Sequence, residues 1–526
     1  MRRRDFLKRS VPAAALFPAL INGLTVKAFG ATRLLQAMSG AADNDHVLVL
    51  IQMAGGNDSL NTVIPIDIYG NYAAIRNNIA IPESAILALN KYEKAGLHPA
   101  MTGFRDLYNT EKAAILQGVG YPSANQSHFR SMDIWLTGAD EDQYLNTGWA
   151  GRFLSHEYPN FPVGFPNDTM PDPLAIQIGS VLSPAFIGPG GYCSMAVDTG
   201  IDFYDLLNGI EDPVPDTPSG KELSFLRLIA RQTNKYADAI TNAAAKVTQQ
   251  VAYPDTYIAQ QLKTVAKLIG GGLKTKIYMV SVGGFDTHAS QVVAGNTGTG
   301  LHSDLLKQIS DAISAFMKDL QQLNVSKRVL GLTFSEFGRR MASNGSGGTD
   351  HGAAQSLLLF GDYVQNGVLG NSPPISSNTG AEDTIPMQYD FRSVYATIMR
   401  DWFCVPADQI ESILFKNYQY LPLVKTTACT ATIDDLNDVG ITLISNYPNP
   451  FSAATTIKYH IKPGHVLIQI FDVSGRLIAV PVNQQYQQEG TYTITFYGAT
   501  LATGVYYARL QNNAVQQVRT MLKGPQ

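Results

Sequence analysis

The sequence predicts an α/β domain followed by a small all-β sandwich, and three observations predict it. Near-continuous apolar runs, Ile277–Val282 and Val329–Phe334 among them, stop abruptly at glycines, carboxylates and histidines. That is the form of strands buried on both faces of a sheet. Between such runs lie segments of helical spacing: His302–Leu320 places Leu305, Leu306, Ile309, Ala312, Ile313, Phe316 and Leu320 on one face. Towards the C-terminus the apolar period changes to two, with Ile457, Tyr459 and Ile461, then Tyr492, Ile494 and Phe496, alternating with polar residues.

At 526 residues the chain is too long for one ordinary core. Hydrophobic content of 45% against 16% charged residues reads as globular. A net charge of −4, with no basic patch interleaved with aromatics, excludes nucleic acid as the expected partner. Cys193, Cys404 and Cys429 are far apart and form no CxxC pair, so neither a disulfide framework nor a thiolate zinc site is expected.

Taken in order, the chain opens with Arg3-Arg4 before Asp5-Phe6-Leu7-Lys8, then an apolar run from Val11 to Leu24 broken by Pro12 and Pro18. This reads as a signal peptide over residues 1–30 and not as a membrane span. Its Arg-Arg-x-Phe-Leu-Lys pattern resembles a twin-arginine signal, a receptor-read address. No later run is long and apolar enough to cross a bilayer. His46–Met53 reads as a first buried strand, and its terminal Ala54-Gly55-Gly56-Asn57 puts Asp58 at a strand end. A helical region runs through His98–Tyr108, and Ala113–Val119 is a second strand.

The loop Pro122–Gln126 leads to a helix starting at Ser127, with His128 and Arg130 beside it. That serine either caps the helix or, where free amides favour an anion, attacks phosphorus or sulfur. Thr147–Tyr158 is a helix with Trp149 and Phe153 in the core, and Leu174–Gly179 a strand. Prolines make Glu211–Gly220 irregular, and helical patterns cover Leu223–Gln249 and Thr256–Ile269. After Ile277–Val282 come Asp286 and His288, with His302 opening the next helix within reach of the same rim. Val329–Phe334 ends at Glu336, and Arg339, Asp350 and His351 follow. Gln355–Gly361 is a strand, Asn371–Thr384 a lid-like loop, and Asp390 opens a last helix through Trp402.

Open α/β sheets bind ligands at the carboxyl ends of their strands. Asp286, His288, Glu336, Asp350 and His351 are therefore the residues expected to carry chemistry. Carboxylates and imidazoles without thiolate suit zinc, manganese, magnesium or calcium, and no H-E-x-x-H helix is present.

These stretches also carry a resemblance. Arg3–Lys8, Ala54–Leu60 (AGGNDSL), Gln126–Phe129 (QSHF), Thr147–Arg152 (TGWAGR), Gly283–His288 (GGFDTH), Ser335–Arg339 (SEFGR) and Thr349–Gly352 (TDHG) resemble the twin-arginine-exported domain-of-unknown-function family fifteen-oh-one. That family is a sulfatase-like branch related to the alkaline phosphatase superfamily, and the resemblance spans about Arg3 to Pro422. It implies an alkaline-phosphatase-like α/β/α sandwich whose strand-end aspartates and histidines hold one or two metals beside a nucleophile at a helix N-terminus. By position Asp58, Asp286 and His351 match best as ligands, His288 or His302 supplies another, and Ser127 takes the nucleophile's place. The chain departs from the superfamily at three points. Glu336-Phe337 stands where Asp-His is usual, Asp286-Thr287-His288 replaces Asp-x-x-x-His, and no Cys-x-Pro-x-Arg signature surrounds Ser127.

Lys425–Gly440 is a linker by composition, which separates a domain at 44–424 from one at 441–526. In the latter, NYPNPF (Asn446–Phe451), FDVSGRLI (Phe471–Ile478), LATGVYYARL (Leu501–Leu510) and Met521-Leu522-Lys523 resemble a type IX secretion sorting domain, type A. Its short strands and turns predict an immunoglobulin-like sandwich. The resemblance implies passage through the periplasm and across the outer membrane, then release or surface attachment.

The expectation is a secreted or cell-surface, metal-dependent hydrolase of phosphate or sulfate esters, small-molecule or glycan, served by the twin-arginine and type IX machineries. Asp58, Asp286, His288, His302, Glu336, Asp350 and His351 are its expected divalent-metal ligands. Ser127 and His128 are the expected catalytic residues, and Arg130 and Arg339 the substrate-binding cations. The alternative is a non-catalytic surface protein on the same scaffold.

Overall fold

The computed structural model describes residues 19–21, 24–26, 45–198, 233–425, 429 and 441–524, except 462, 474, 513 and 514. Most of the expected signal peptide and linker, the proline-rich 211–220 and the first part of the Leu223–Gln249 helix lie outside the described residues. Asn44–Lys425 forms one compact unit, and the C-terminal residues belong to another.

A nine-stranded mixed sheet organises the first unit. Its strands are β1 (Val47–Met53), β2 (Ala113–Gly120), β3 (Ala175–Ile178), β4 (Ser194–Val197), β5 (Ile277–Val282), β6 (Val329–Phe334), β7 (Gln355–Phe360), β8 (Gly367–Leu369) and β9 (Tyr389–Asp390). They lie in the order β4-β3-β5-β1-β6-β7-β2-β8, with β9 also beside β2. The run from β4 to β6 is parallel, with Ile277 beside Leu48 and Val329 beside Val47. Strand β7 is antiparallel to both of its neighbours. The carboxyl ends of β5, β1, β6 and β2 therefore share one sheet edge with the amino end of β7.

Helices cover both faces, which explains why the central strands are near-continuously apolar. Val47, Val49, Ile51 and Met53 join a core with α4 (Tyr257–Gly270), α5 (Leu301–Gln322) and α1 (Thr102–Asn109). On the other face α2 (His128–Thr137), α3 (Trp149–Glu157) and α6 (Phe391–Asp401) bring a chain of aromatic rings. Trp135 stacks on Phe334 and Phe391, and Trp149 on Tyr395. The result is an α/β/α sandwich. One further helix, Ala407–Leu414, follows the helix expected to be the last of the domain.

The second unit pairs β10 (Ile441–Tyr447), β11 (Ala454–Ile461) and β14 (Gly490–Tyr497) in one antiparallel sheet. Strands β12 (Gly464–Asp472), β13 (Leu477–Gln487), β15 (Gly504–Asn512) and β16 (Val515–Lys523) form a second, in the order β13-β12-β15-β16. Ile457, Tyr459, Ile461 and Phe496 are buried in its core, as the period of two requires.

Cysteine usage needs correction. Cys404 and Cys429 are disulfide-bonded, while Cys193 is free and buried.

Gly331 on β6 lies under a ring: a Cβ there would come 2.0 Å from Phe360 Cζ. Gly331→Ala is expected to lower stability by about 1–3 kcal/mol, the usual cost of overpacking. Equilibrium denaturation measures it, and an unchanged midpoint would contradict this packing.

Candidate metal centre

The shared sheet edge carries the chemistry. The turn after β1 approaches the one after β5 so closely that a Cβ on Gly55 (φ +126°) would lie 2.3 Å from the Asp286 amide nitrogen. Only glycine fits there. Arg339 locks the approach: its fully buried guanidinium donates to the Gly56, Thr349 and Phe285 carbonyls at 2.6, 2.8 and 3.0 Å, to the Gly55 carbonyl, and to Asp286 Oδ1 at 2.7 Å. Expected as a substrate-binding cation, Arg339 instead ties three strand-end loops together and is closed to solvent.

Above this clamp three imidazoles face one carboxylate. His288 Nε2 lies 2.8 Å from His351 Nε2, and these nitrogens are 3.1 and 3.2 Å from Asp286 Oδ1. His128 Nε2 lies 3.5 Å from Asp286 Oδ2. His128, Asp286 and His351 together meet the geometric condition for holding a metal ion. The outer nitrogens reveal the tautomers. His351 Nδ1 is 2.8 Å from the Gln126 carbonyl oxygen, His288 Nδ1 3.0 Å from Asp350 Oδ1, and His128 Nδ1 2.7 Å from Glu336 Oε1. Carbonyls and carboxylates only accept, so each Nδ1 donates outward, and each ring turns its Nε2, the atom that a metal ion would use, towards Asp286.

His288 Nε2 and His351 Nε2, 2.8 Å apart, are close enough to share a proton or to face one cation. Ligands at the zinc distance of about 2.0–2.1 Å from a tetrahedral ion stand roughly 3.3 Å apart, and the separations here bracket that value. Outer hydrogen bonds of this kind are those that orient metal-ligating histidines. The donor set fits a divalent ion.

Burial holds His351 below the ordinary histidine value, although its bond to Gln126 pulls the other way. Burial opposes ionisation of Asp286, but the hydrogen bond and charge of Arg339 and the nearby His288 outweigh it and hold the carboxyl below its usual range.

Several expected roles change. Glu336 and Asp350, expected as ligands, lie against the outer nitrogens of His128 and His288. Glu336 is nearly closed to solvent and also accepts from the Gly55 amide at 2.9 and 3.1 Å and from Ser335 Oγ at 2.9 Å. Asp350 also accepts from Asn344 Nδ2 at 3.1 Å. His128, expected in catalysis, stands in the ligand set. Ser127 is the exposed N-cap of α2 and makes no side-chain cap bond; its neighbours Gln126 and His128 both belong to the centre. Arg130, expected to bind substrate, is engaged locally: it pairs with Asp133, donates to the carbonyls of Asp140, Glu141 and Gln143, and lies over the Tyr144 ring.

Asp58 and His302 are not part of the rim. Asp58 is fully buried and accepts both from Arg76 Nη1, at 2.8 and 2.7 Å, and from Gln291 Nε2 at 2.6 Å. His302 is buried with Nε2 3.0 Å from Asn57 Oδ1. Sequence reasoning missed Arg76 and Gln291, because nothing local to either residue announces a partner so distant in the chain. Gln126 lay within a quoted motif, but its carbonyl acts and a carbonyl has no sequence signature.

Residues 230–413 match the family described as protein of unknown function (DUF1501), and residues 445–523 match the secretion system C-terminal sorting domain. The second match makes the C-terminal sandwich a type IX sorting domain, which directs export to the cell surface or extracellular space. No curated protein matches the chain. Among solved structures, a protein in the alkaline phosphatase superfamily from Vibrio parahaemolyticus is 9% identical, covering 84% of this chain and 83% of its own, with a TM-score of 0.33. The PsFucS1 sulfatase from Pseudoalteromonas sp. is 11% identical, covering 89% and 86%, also at 0.33. At these values neither neighbour assigns a role to any residue here. Among the described residues no helix is long and apolar enough to cross a membrane.

Burial pushes His302 down to about 4 and His98 down to about 3. The unfolded chain protonates near the ordinary value of about 6.5, so below that pH it binds more protons than the folded chain. Stability is therefore fully present above about pH 6.5 and falls as the pH drops towards 4, by on the order of 3 kcal/mol for His302. His302→Gln is expected to flatten this slope in denaturant titrations between pH 7 and 4.5; an unaltered slope would contradict the buried neutral imidazole.

Proposed function

We propose that this chain is an exported, metal-dependent hydrolase of phosphate or sulfate esters, with His128, Asp286, His288 and His351 holding the ion. The observation behind this reading is the convergence of three Nε2 atoms on the Asp286 carboxylate at the carboxyl edge of the sheet. The Asp286 and His288 side chains keep 46% and 43% of their surface exposed, which leaves an approach for an ester oxygen. A divalent ion bound there would act as a Lewis acid on that oxygen. Three imidazoles favour an ion of the zinc class over calcium or magnesium, which prefer oxygen ligands.

The chain's own residues supply the rest. Helix α2 begins at His128, and its positive end favours the negative charge that develops on a transferring phosphoryl or sulfuryl group. Ser127 or a water molecule is the attacking group. Its oxygen forms the new bond to phosphorus or sulfur and loses its proton to water, while the ester oxygen leaves with the bonding pair and is protonated. Where Ser127 attacks, a water molecule then hydrolyses the serine ester. Glu336, Asp350 and the Gln126 carbonyl hold the rings in place. The Arg3–Lys8 pattern adds twin-arginine export through the periplasm to the type IX route.

One observation favours the second reading, a non-catalytic surface protein. Among the described residues, the arginines in the stretches that build the centre are already engaged: Arg339 by the strand-end loops, Arg340 by Glu382 at 2.6 Å, and Arg130 by its own helix and loop. None is left to clamp an anionic ester.

A panel of aryl phosphate and sulfate esters with added zinc, manganese or calcium separates the two readings. Turnover is expected, and His351→Ala or Asp286→Asn should reduce it by more than about 100-fold, beyond the 10–100-fold typical of residues that orient a ligand. Glu336→Gln should fall within that smaller range. Ser127→Ala abolishes turnover if the serine attacks and spares it if water does. No turnover under any condition supports the surface protein.

A further inference from the structure

We infer that the centre takes a single ion, because the chain supplies a cation of its own, the Arg76 guanidinium, at the carboxylate where a second ion would bind. This rests on the metal reading above. Asp58 ends the central strand β1, between the strands whose ends carry Asp286 and Glu336. A carboxylate there, removed from water, requires a positive partner. Arg76 provides it: Nη1 contacts both Asp58 oxygens at 2.8 and 2.7 Å, and both side chains are fully buried. The rest of the guanidinium is fastened as well, with Nε 2.7 Å from the Met341 carbonyl, Nη2 2.7 Å from the Arg340 carbonyl and Nη1 3.1 Å from Asn61 Oδ1. A guanidinium does not lose its proton in a protein, so this charge is permanent. Gln291 Nε2 takes a further lone pair of Asp58 at 2.6 Å. Asp58 has neither charge nor geometry left for an ion.

The space next to the centre is filled too. The buried Phe337 ring stands 4.9 Å from the His128 ring and 4.6 Å from the His351 ring, centroid to centroid. On its other side, a Cβ on Gly56 would meet Phe337 Cε2 at 2.4 Å. An apolar ring wedged between the imidazoles and the β1 turn offers no donor atom. His302, the remaining expected ligand, is turned to Asn57. At this sheet edge the described residues thus form one exposed nitrogen-rich site beside the internal Asp58–Arg76 ion pair.

The test is the zinc stoichiometry of the full-length, chelator-stripped protein, by calorimetric titration and by elemental analysis after dialysis. One tight equivalent is expected. Asp58→Asn should retain that equivalent with unchanged affinity, whereas His288→Ala should weaken it by more than about 100-fold. Two tight equivalents in the unaltered protein, or loss of the equivalent in a folded Asp58→Asn variant, would overturn the inference. Because Asp58→Asn strands a buried guanidinium, circular dichroism monitors its fold, and the unaltered protein's stoichiometry decides if the variant has unfolded. Failure to bind zinc at all would overturn the metal reading, whereas two equivalents would overturn only the single-ion inference.

Discussion

The buried guanidinium of Arg339 is the constraint on which the site depends. It reaches the loops that follow β1 and β5 and the one that precedes β7, and it touches Asp286 directly. Removing it would leave several buried carbonyls without donors, each at a cost of about 1–3 kcal/mol. The turn glycines are the complement of the clamp, because any side chain at Gly55 would push the β1 and β5 loops apart.

On that base the histidines are arranged from the outside in. Each Nδ1 is pinned by an acceptor from a different part of the chain: a carbonyl before α2, a carboxylate before β7 and a carboxylate after β6. Such anchoring fixes the tautomer and aims the opposite lone pair. A second polar cluster, around Asp58 and Arg76, is by contrast balanced internally and buried. Two carboxylates at neighbouring strand ends thus have opposite roles, set by whether a guanidinium or three imidazoles faces them.

Much of the fold was legible. Runs such as Val329–Phe334 are buried along their whole length because helices cover both faces, and their sudden ends at Asp286 and Glu336 mark the edge that carries the candidate site. The alternation at Ile457, Tyr459 and Ile461 likewise declared a sandwich. Within the site, residue type was legible but direction was not. Glu336 and Asp350 have the composition of ligands, yet whether a carboxylate oxygen meets an ion or an imidazole proton depends on rotation about single bonds. Arg76 escaped notice because it meets Asp58 only when Tyr69–Ile75 folds back over the β1 turn. Arg130 and Arg339 look like anion binders in one dimension, whereas carbonyls of the chain itself consume them in three.

X-ray absorption at the zinc edge of the zinc-loaded protein tests the central claim most directly. The account predicts three imidazole nitrogens and carboxylate oxygen at about 2.0–2.1 Å, with no second metal nearby. A shell made only of oxygen, or one with fewer than two imidazoles, would contradict it.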